Sequence, residues 1–187
     1  MERITERKLK DKRFRANEEA ILVALISAKE RLSPIRLARH AGISRATFYR
    51  HHKNVHEIVD DYERYILRKC KNTVTRLIKK NAHVKTVFQR ILIFLSANKM
   101  VVKFLLENGC PGLIEKIVLA LKPKIIATGK VADGEMYNLY AKEVSGLIET
   151  WCRDGFNVDE ISVTANKIMY LTKTAYMRLS PLKAFDV

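Results

Sequence analysis

Residues that interrupt helices are scarce in this chain of 187 amino acids. It contains 7 glycines and 4 prolines, and neither type occurs between Val55 and Asn108. No stretch shows the alternation of apolar and polar residues that is typical of a half-buried strand. These absences argue against a sheet and predict an all-α protein.

Cysteine is also scarce. The three cysteines, Cys70, Cys110 and Cys152, are widely separated and lack the C-x-x-C spacing of a zinc site or a redox pair. The spacing predicts reduced and mostly buried thiols rather than disulfides.

Catalytic signatures are missing as well. The chain has no P-loop and no G-x-S-x-G motif. His52 and His56 are four residues apart, a spacing that can bind a metal on a helix, but no glutamate completes an H-E-x-x-H motif. We therefore predict that the protein is not an enzyme and holds no metal and no cofactor.

Long apolar runs are absent too. The longest strongly apolar cluster, residues 91–95, is far too short to span a bilayer. The first fifteen residues are densely charged and lack the apolar core of a signal peptide. We expect a cytoplasmic protein with no membrane partner.

Positive charge is abundant and unevenly distributed. The formal net charge is +15; residues 1–53 contain 14 Lys or Arg against 6 Asp or Glu, and residues 54–187 contain 21 against 14. Net positive charge is thus about three times denser in the first segment, as binding to DNA phosphates requires. Basic charge alone could equally serve RNA or a membrane surface.

The basic segment contains two short helix patterns that meet at a turn, residues 41–44. Ser33 can cap the first helix, whose first position is Pro34. Gly42 can adopt the left-handed conformation that closes this helix, and Ile43 is placed for burial between the helices. Ser44 can then cap a second helix that runs from Arg45 to about His51. This arrangement predicts a DNA-binding helix-turn-helix, although any small helical hairpin can carry a glycine in its turn.

The outward face of the second helix has the chemistry of a DNA reader. If Phe48 points inward with Ile43, then Arg45, Ala46, Thr47, Tyr49 and Arg50 point largely outward. A guanidinium can read guanine edges, the methyl groups of Ala and Thr can contact thymine, and a phenol hydroxyl can bind phosphate. No carboxylate interrupts this face.

The segment from Leu37 to His52, which reads LARHAGISRATFYRHH, resembles the DNA-binding motif of the TetR family of transcriptional regulators, L-A-x-x-A-G-[VI]-S-x-x-[TA]-[LF]-Y-x-H-F. The resemblance implies that Arg45, Ala46 and Thr47 read bases and that Tyr49 and His51 contact phosphates. Two positions depart from the motif: His52 replaces a phenylalanine, and Val55 replaces a lysine that contacts phosphate. Lys53 and Arg50 can supply the missing contact. The full set of candidate DNA-binding residues is Ser33, Arg36, Ser44, Arg45, Ala46, Thr47, Tyr49, Arg50, His51 and Lys53.

Three regions are expected along the chain. Residues 1–16 form a flexible basic arm, residues 17–58 a three-helix DNA-binding head, and residues 59–187 a larger helical body for regulation and dimerisation. Asn17 is expected to cap the first helix, with Ala20, Leu22, Val23 and Ile26 on its core side and Leu25 as a further candidate. Asn54 and Glu57 resemble a capping box that starts a long fourth helix ending near Lys80.

Further helix patterns fill the body. One runs from Val84 to about Glu107 with a break near Asn98, and one runs from Gly112 to about Ala127 with a kink or end at Pro123. Residues 128–134 are the best candidate loop. Two strong helices follow, residues 133–154 and 159–179, the first closed by Asp154-Gly155-Phe156 and the second capped by Asp159. This pair resembles the hairpin through which TetR-family subunits dimerise, but it could also complete the core of a monomer.

An effector site is harder to predict. Phe88, Leu92, Phe104 and Trp151 can line an apolar pocket, yet the same residues can be ordinary core. The resemblance implies an unknown small-molecule or protein effector. The sequence thus predicts a homodimeric regulator, most simply a repressor, that leaves a palindromic operator in double-stranded DNA when its effector binds. The alternatives are a co-activator or regulator controlled by a protein partner, and a non-enzymatic basic helical adaptor.

Overall fold

The structure, a computed structural model, describes residues 12–28, 32–108, 110, 112–122 and 134–178. Within these ranges the regular structure consists of nine helices and contains no strand, which confirms the predicted all-α class. The helices are α1 (Lys12–Ser27), α2 (Pro34–His40), α3 (Arg45–His51), α4 (Val55–Lys79), α5 (Val84–Ala97), α6 (Lys99–Glu107), α7 (Leu113–Leu119), α8 (Gly134–Arg153) and α9 (Ile161–Arg178).

The chain forms two compact units, residues 1–62 and 63–187. The first contains α1, α2, α3 and the first part of α4, and the second contains the rest. We call them the N-terminal unit and the C-terminal unit. None of the helices in the described ranges is both long enough and apolar enough to cross a bilayer.

Helix α1 starts earlier than the sequence predicted. It begins at Lys12, so Asn17 lies inside the helix and the predicted cap there was wrong. The additional turn is anchored by Phe14, whose ring stacks on that of His51 with centroids 4.1 Å apart. Residues 12–16 of the predicted arm therefore belong to α1, and residues 1–11 lie outside the described part of the chain.

The buried face of α1 also differs from the prediction. Leu25, the further candidate, is buried, but the other buried side chains are Ile21 and Ala24, and Val23 is exposed. The segment from Ala20 to Ile26 is entirely apolar, so its pattern does not define one face, and tertiary packing selects it. Phe48 is buried as predicted, and Leu37 and Ala38 are buried as well.

Helix α4 begins where the sequence placed it. The Glu57 N–H donates to Asn54 Oδ1 at 2.9 Å, as in the predicted capping box. The Glu57 carboxylate reaches one residue further back than expected and accepts from the Lys53 N–H at 2.5 Å. Both bonds satisfy backbone donors at the start of the helix, so the helix start is well defined.

The C-terminal unit confirms the predicted break at Asn98. Helix α5 ends at Ala97 and α6 starts at Lys99. The Asn98 Nδ2 group donates to the Phe94 carbonyl at 2.8 Å, which satisfies an acceptor at the end of α5. Helix α5 contributes six buried residues to the core: Val84, Val87, Phe88, Ile91, Leu92 and Leu95.

Helices α8 and α9 pack on each other and on α7 and α5 respectively. The buried polar groups here are paired: the Tyr137 hydroxyl donates to the Val118 carbonyl at 2.6 Å, and the Tyr140 hydroxyl lies 2.8 Å from Thr172 Oγ1. Burial raises the pKa of Tyr140 to about 12 and also that of Tyr137, so both phenols stay neutral.

The predicted closure of α8 is confirmed. Gly155 has φ +100°, and the buried Phe156 ring lies 5.5 Å from the Trp151 ring in an edge-on arrangement. Helix α9 begins at Ile161, two residues after Asp159. Asp159 is therefore not its cap; the Glu160 carbonyl accepts the first helical bond, from the Thr164 N–H at 2.8 Å.

The three cysteines are free thiols and all are buried, as predicted. Burial raises the pKa of both Cys70 and Cys152 to about 12, so these thiols stay protonated and unreactive at neutral pH. The predicted kink or end at Pro123 lies outside the described residues, and so does the predicted loop over residues 128–134 except for Gly134, which already belongs to α8.

Candidate nucleic-acid interface

The turn between α2 and α3 has the hydrogen-bond pattern of a glycine-closed helix end. Gly42 has φ +66°, its N–H donates to the Arg39 carbonyl at 3.1 Å, and the Ile43 N–H donates to the Ala38 carbonyl at 3.0 Å. These two bonds form a Schellman closure, which needs a residue that tolerates positive φ. Ile43 is half-buried rather than fully buried.

Ser44 starts α3. Its Oγ accepts from the Thr47 N–H at 3.0 Å and donates to Thr47 Oγ1 at 2.9 Å. Thr47 Oγ1 also accepts from Arg50 Nη2 at 3.2 Å. A short chain of hydrogen bonds therefore fixes the side chains of Ser44, Thr47 and Arg50 along one side of α3.

The two faces of α3 differ sharply. Phe48 is fully buried and holds the helix on the core. Arg45, Ala46, Tyr49 and Arg50 are exposed, and Thr47 is half-buried. The Arg45 guanidinium carbon lies 5.6 Å from the centre of the Tyr49 ring, so the two side chains form a cation–π interaction. We call Arg45, Ala46, Thr47, Tyr49 and Arg50 the α3 face.

The candidate DNA-binding residues on either side of the α3 face are also exposed. Ser33 caps α2 by accepting from the Arg36 N–H at 3.4 Å, and both residues are exposed. The Lys53 side chain is exposed beyond the end of α3. No aspartate or glutamate occurs in residues 31–56, so α2, α3 and their connections present only neutral and cationic groups.

His51 is placed differently from the other candidates. Its side chain is only 3% exposed, and its Nδ1 lies 2.5 Å from Glu18 Oε1. Its Nε2 lies 3.5 Å from Asn17 Nδ2. The ring is thus enclosed by α1, and we leave His51 out of the proposed contact surface.

His52 completes a largely buried polar cluster with Glu18, His51 and Asp61. Its Nε2 lies 3.1 Å from Glu18 Oε1, and its Nδ1 lies 3.4 Å from Asp61 Oδ2. Burial raises the pKa of the Glu18 carboxyl, but hydrogen bonds and charge attraction from His52 and His51 outweigh it and hold that pKa below its ordinary value. In the described residues, no group of histidine, cysteine and carboxylate side chains is arranged to hold a metal ion.

The sequence did not reveal this cluster. His52 stood out as a departure from the resembling motif and for its spacing from His56, whereas its partner here, Glu18, lies 34 residues away. No local spacing joins a glutamate on α1 to two histidines at the end of α3. Only the packing of α1 against this segment brings them together.

The predicted effector residues lie in the core of the C-terminal unit. Phe88, Leu92, Phe104 and Trp151 are all buried, and the Trp151 Nε1 donates to the Asn157 carbonyl at 2.9 Å. A cleft of about 820 Å³ opens instead between α6, the start of α7 and the end of α8, and none of these four residues lines it. Its residues come from two separate stretches of the sequence, 99–112 and 149–156, which is why sequence spacing did not indicate it.

Comparison of the chain with models of known protein families gives no match, and no curated protein matches it. The functional assignment therefore depends on the residues of the interface described above and on the motif that they form.

Proposed function

We propose that this protein is a sequence-specific DNA-binding transcription regulator of the TetR type, and that α3 is its recognition helix. The observation that carries the proposal is the α3 face, which holds two guanidiniums, a phenol and two methyl-bearing side chains and no carboxylate. An α-helix fits the major groove, where guanidiniums read guanine and methyl groups contact thymine.

The residues around the α3 face support phosphate binding. Ser33 and Arg36 lie at the start of α2, and Lys53 follows α3. Such groups fix the register of a protein on the duplex without reading its sequence. The Lys53 side chain supplies positive charge close to the place where Val55 departs from the resembling motif.

Dimerisation is proposed through the outward faces of α8 and α9. Leu139 and Gly146 are exposed and two helical turns apart on α8, and Val163 and Tyr170 are likewise spaced on α9. A Cβ added at Gly146 would meet no atom within 4 Å, so this face leaves room for another helix to approach closely. A two-fold dimer would give two copies of α3 for the two halves of a palindromic site.

The dimer face is tested by sedimentation of the purified chain. Val163→Glu is expected to convert a dimer to a monomer, because it buries a charge without a partner. Val158→Glu is the matched control, since Val158 is also an exposed valine but lies in the turn before α9. Equal masses for both variants and for the unchanged protein would contradict this interface.

Regulation is proposed to act through α4, which begins beside the recognition segment and continues into the C-terminal unit. There, Lys116 Nζ on α7 lies 2.5 Å from Glu63 Oε1 on α4. An effector that displaces α7 would act on α4 through this pair. In this proposal the protein is a repressor that works in the cytoplasm, where its operator is.

The proposal is tested by selection of random duplex DNA on the purified protein at two salt concentrations, followed by sequencing. Recovery of an inverted repeat that survives the higher salt is the expected result, because base contacts are less sensitive to salt than phosphate contacts alone. Binding without a sequence motif that disappears at higher salt would overturn the proposal and favour a basic adaptor.

A further inference from the structure

The cleft between α6, the start of α7 and the end of α8 has the size of a small-molecule site. Its volume of about 820 Å³ falls in the range of roughly 300–1,000 Å³ that is common for such sites. All of its described lining residues belong to the C-terminal unit. The charged and apolar groups of this lining define what it can bind.

The charged residues of the described lining have an excess of positive charge. Lys99, Lys103 and Arg153 face the cleft together with two carboxylates, Glu107 and Glu149. Lys103 Nζ lies 3.8 Å from Glu107 Oε1, and Arg153 Nη2 lies 3.5 Å from Glu149 Oε2. Both pairs are solvent-exposed and therefore weak. Lys99 has no carboxylate within ion-pair distance among the described residues, so one cation of the lining lacks an anionic partner.

The rest of the lining is apolar. Met100 lies on the same face of α6 as Lys99 and Lys103, and its side chain is 51% exposed. Leu106 and the buried Phe156 and Cys152 also line the cleft. Exposed methionine beside buried apolar groups provides an adaptable surface for an apolar ligand chain.

We propose that this cleft binds an amphiphilic organic anion with one negative charge, and that this ligand is the effector of the regulator. The side chains of Lys99 and Lys103 on α6 hold the charged end of the ligand. Its apolar part packs against Met100, Leu106 and Phe156. The effector role depends on the DNA-binding function proposed above, whereas the binding itself does not.

The cleft adjoins the start of α7, and α7 contacts α4. Cys110 and Gly112, which line the cleft, directly precede α7. One turn into α7, Lys116 contacts Glu63 of α4. A ligand that displaces the start of α7 therefore changes the contact between α7 and α4.

Octanoate is the probe for the charge requirement, with octylamine and octan-1-ol as cationic and neutral probes of the same chain length. Binding of each to the full chain without DNA is measured by titration calorimetry. Octanoate is expected to bind most tightly. Lys99→Glu is expected to weaken octanoate binding by about tenfold, which corresponds to about 1.4 kcal/mol, whereas Lys71→Glu on α4, an exposed lysine outside the cleft lining, changes it less than about twofold.

Equal binding of the three probes, equal effects of Lys99→Glu and Lys71→Glu, or no octanoate binding would each overturn the cleft assignment. If Lys99→Glu disturbs folding, Met100→Asp provides the second variant, with the same loss expected.

The effector role is measured separately. Octanoate is expected to lower the affinity of the protein for the selected duplex, and Lys116→Met is expected to reduce that response without loss of octanoate binding. Octanoate binding with unchanged duplex affinity overturns the effector role, and absence of any selected duplex overturns the proposed function while octanoate binding stands.

Discussion

The α2–α3 turn and the α8–α9 turn close their helices in the same way but serve different ends. In each, a glycine with positive φ donates its N–H three residues back, and the next residue donates five residues back. At the first turn that next residue is the half-buried Ile43, and at the second it is the buried Phe156. The same backbone hydrogen bonds therefore form both turns. The residue after each glycine differs in burial, so the first turn remains partly exposed and the second contributes a side chain to the core.

The largest difference between the turns is expected in their hydrophobic residues. Phe156→Ala should lower the free energy of unfolding by about 3–5 kcal/mol, because it removes a buried ring that packs on Trp151. Ile43→Ala should lower it by only about 1–2 kcal/mol, because the side chain is half-exposed. Urea denaturation of both variants measures this, and equal losses would contradict the contrast.

The two units also differ in their buried polar groups. The N-terminal unit places the half-buried Glu18 carboxylate against the buried His52 ring, whereas the buried polar residues described in the C-terminal unit carry hydroxyl groups. Because the folded-state pKa of Glu18 is lowered, its stabilisation is fully present above the ordinary value of 4.5 and is lost as pH falls through the folded value.

Glu18→Gln is therefore expected to destabilise the protein at neutral pH by about 1–3 kcal/mol, since it removes charge-assisted hydrogen bonds. The gap from the unchanged protein should hold from about pH 7 down to the ordinary value of 4.5 and should close as the pH falls further, toward about 3. Denaturation across this range measures it, with exposed Glu143→Gln on α8 as the control that should show no such gap. A gap for Glu18→Gln that stays constant with pH would disprove the charged role of Glu18.

Gly42 and Gly155 have the same conformational role in the two turns, so replacing them should have similar effects. Gly42→Ala and Gly155→Ala should each cost about 1–2 kcal/mol of stability, the cost of a side chain in the left-handed conformation. A Cβ at either position meets no atom within 4 Å, so packing adds nothing. Thermal melts of the two variants should agree, and a large difference would mean that the turns are not equivalent.

The smallest expected effect concerns the surface of α3. Tyr49→Phe keeps the ring beside Arg45 but removes the hydroxyl, so it should weaken binding to selected and scrambled duplex alike, by about 0.5–1.5 kcal/mol. Fluorescence anisotropy with both duplexes measures this. Loss confined to the selected duplex would show that Tyr49 reads bases instead of contacting phosphate.

Local signals explain how much could be predicted from the sequence. The turn and the helix starts were predictable because each is formed by residues within four positions of the backbone groups that they satisfy. These residues are Gly42, Ser44, Asn54 and Glu57. The start of α1 was not predictable, because Phe14 stabilises it through a ring of α3. The Glu18 cluster and the cleft escaped prediction for the same reason: their members meet only after packing.

The central claim is that α3 reads sequence, and the most direct test is the ratio of affinities for the selected duplex and a scrambled duplex. Arg45→Ala is expected to reduce this ratio by about 1–3 kcal/mol and to relax the preference at one position of each half-site. Arg90→Ala, which removes an exposed arginine of α5, is expected to leave the ratio unchanged. Equal ratios for the unchanged protein and both variants would contradict the assignment of α3 as the recognition helix.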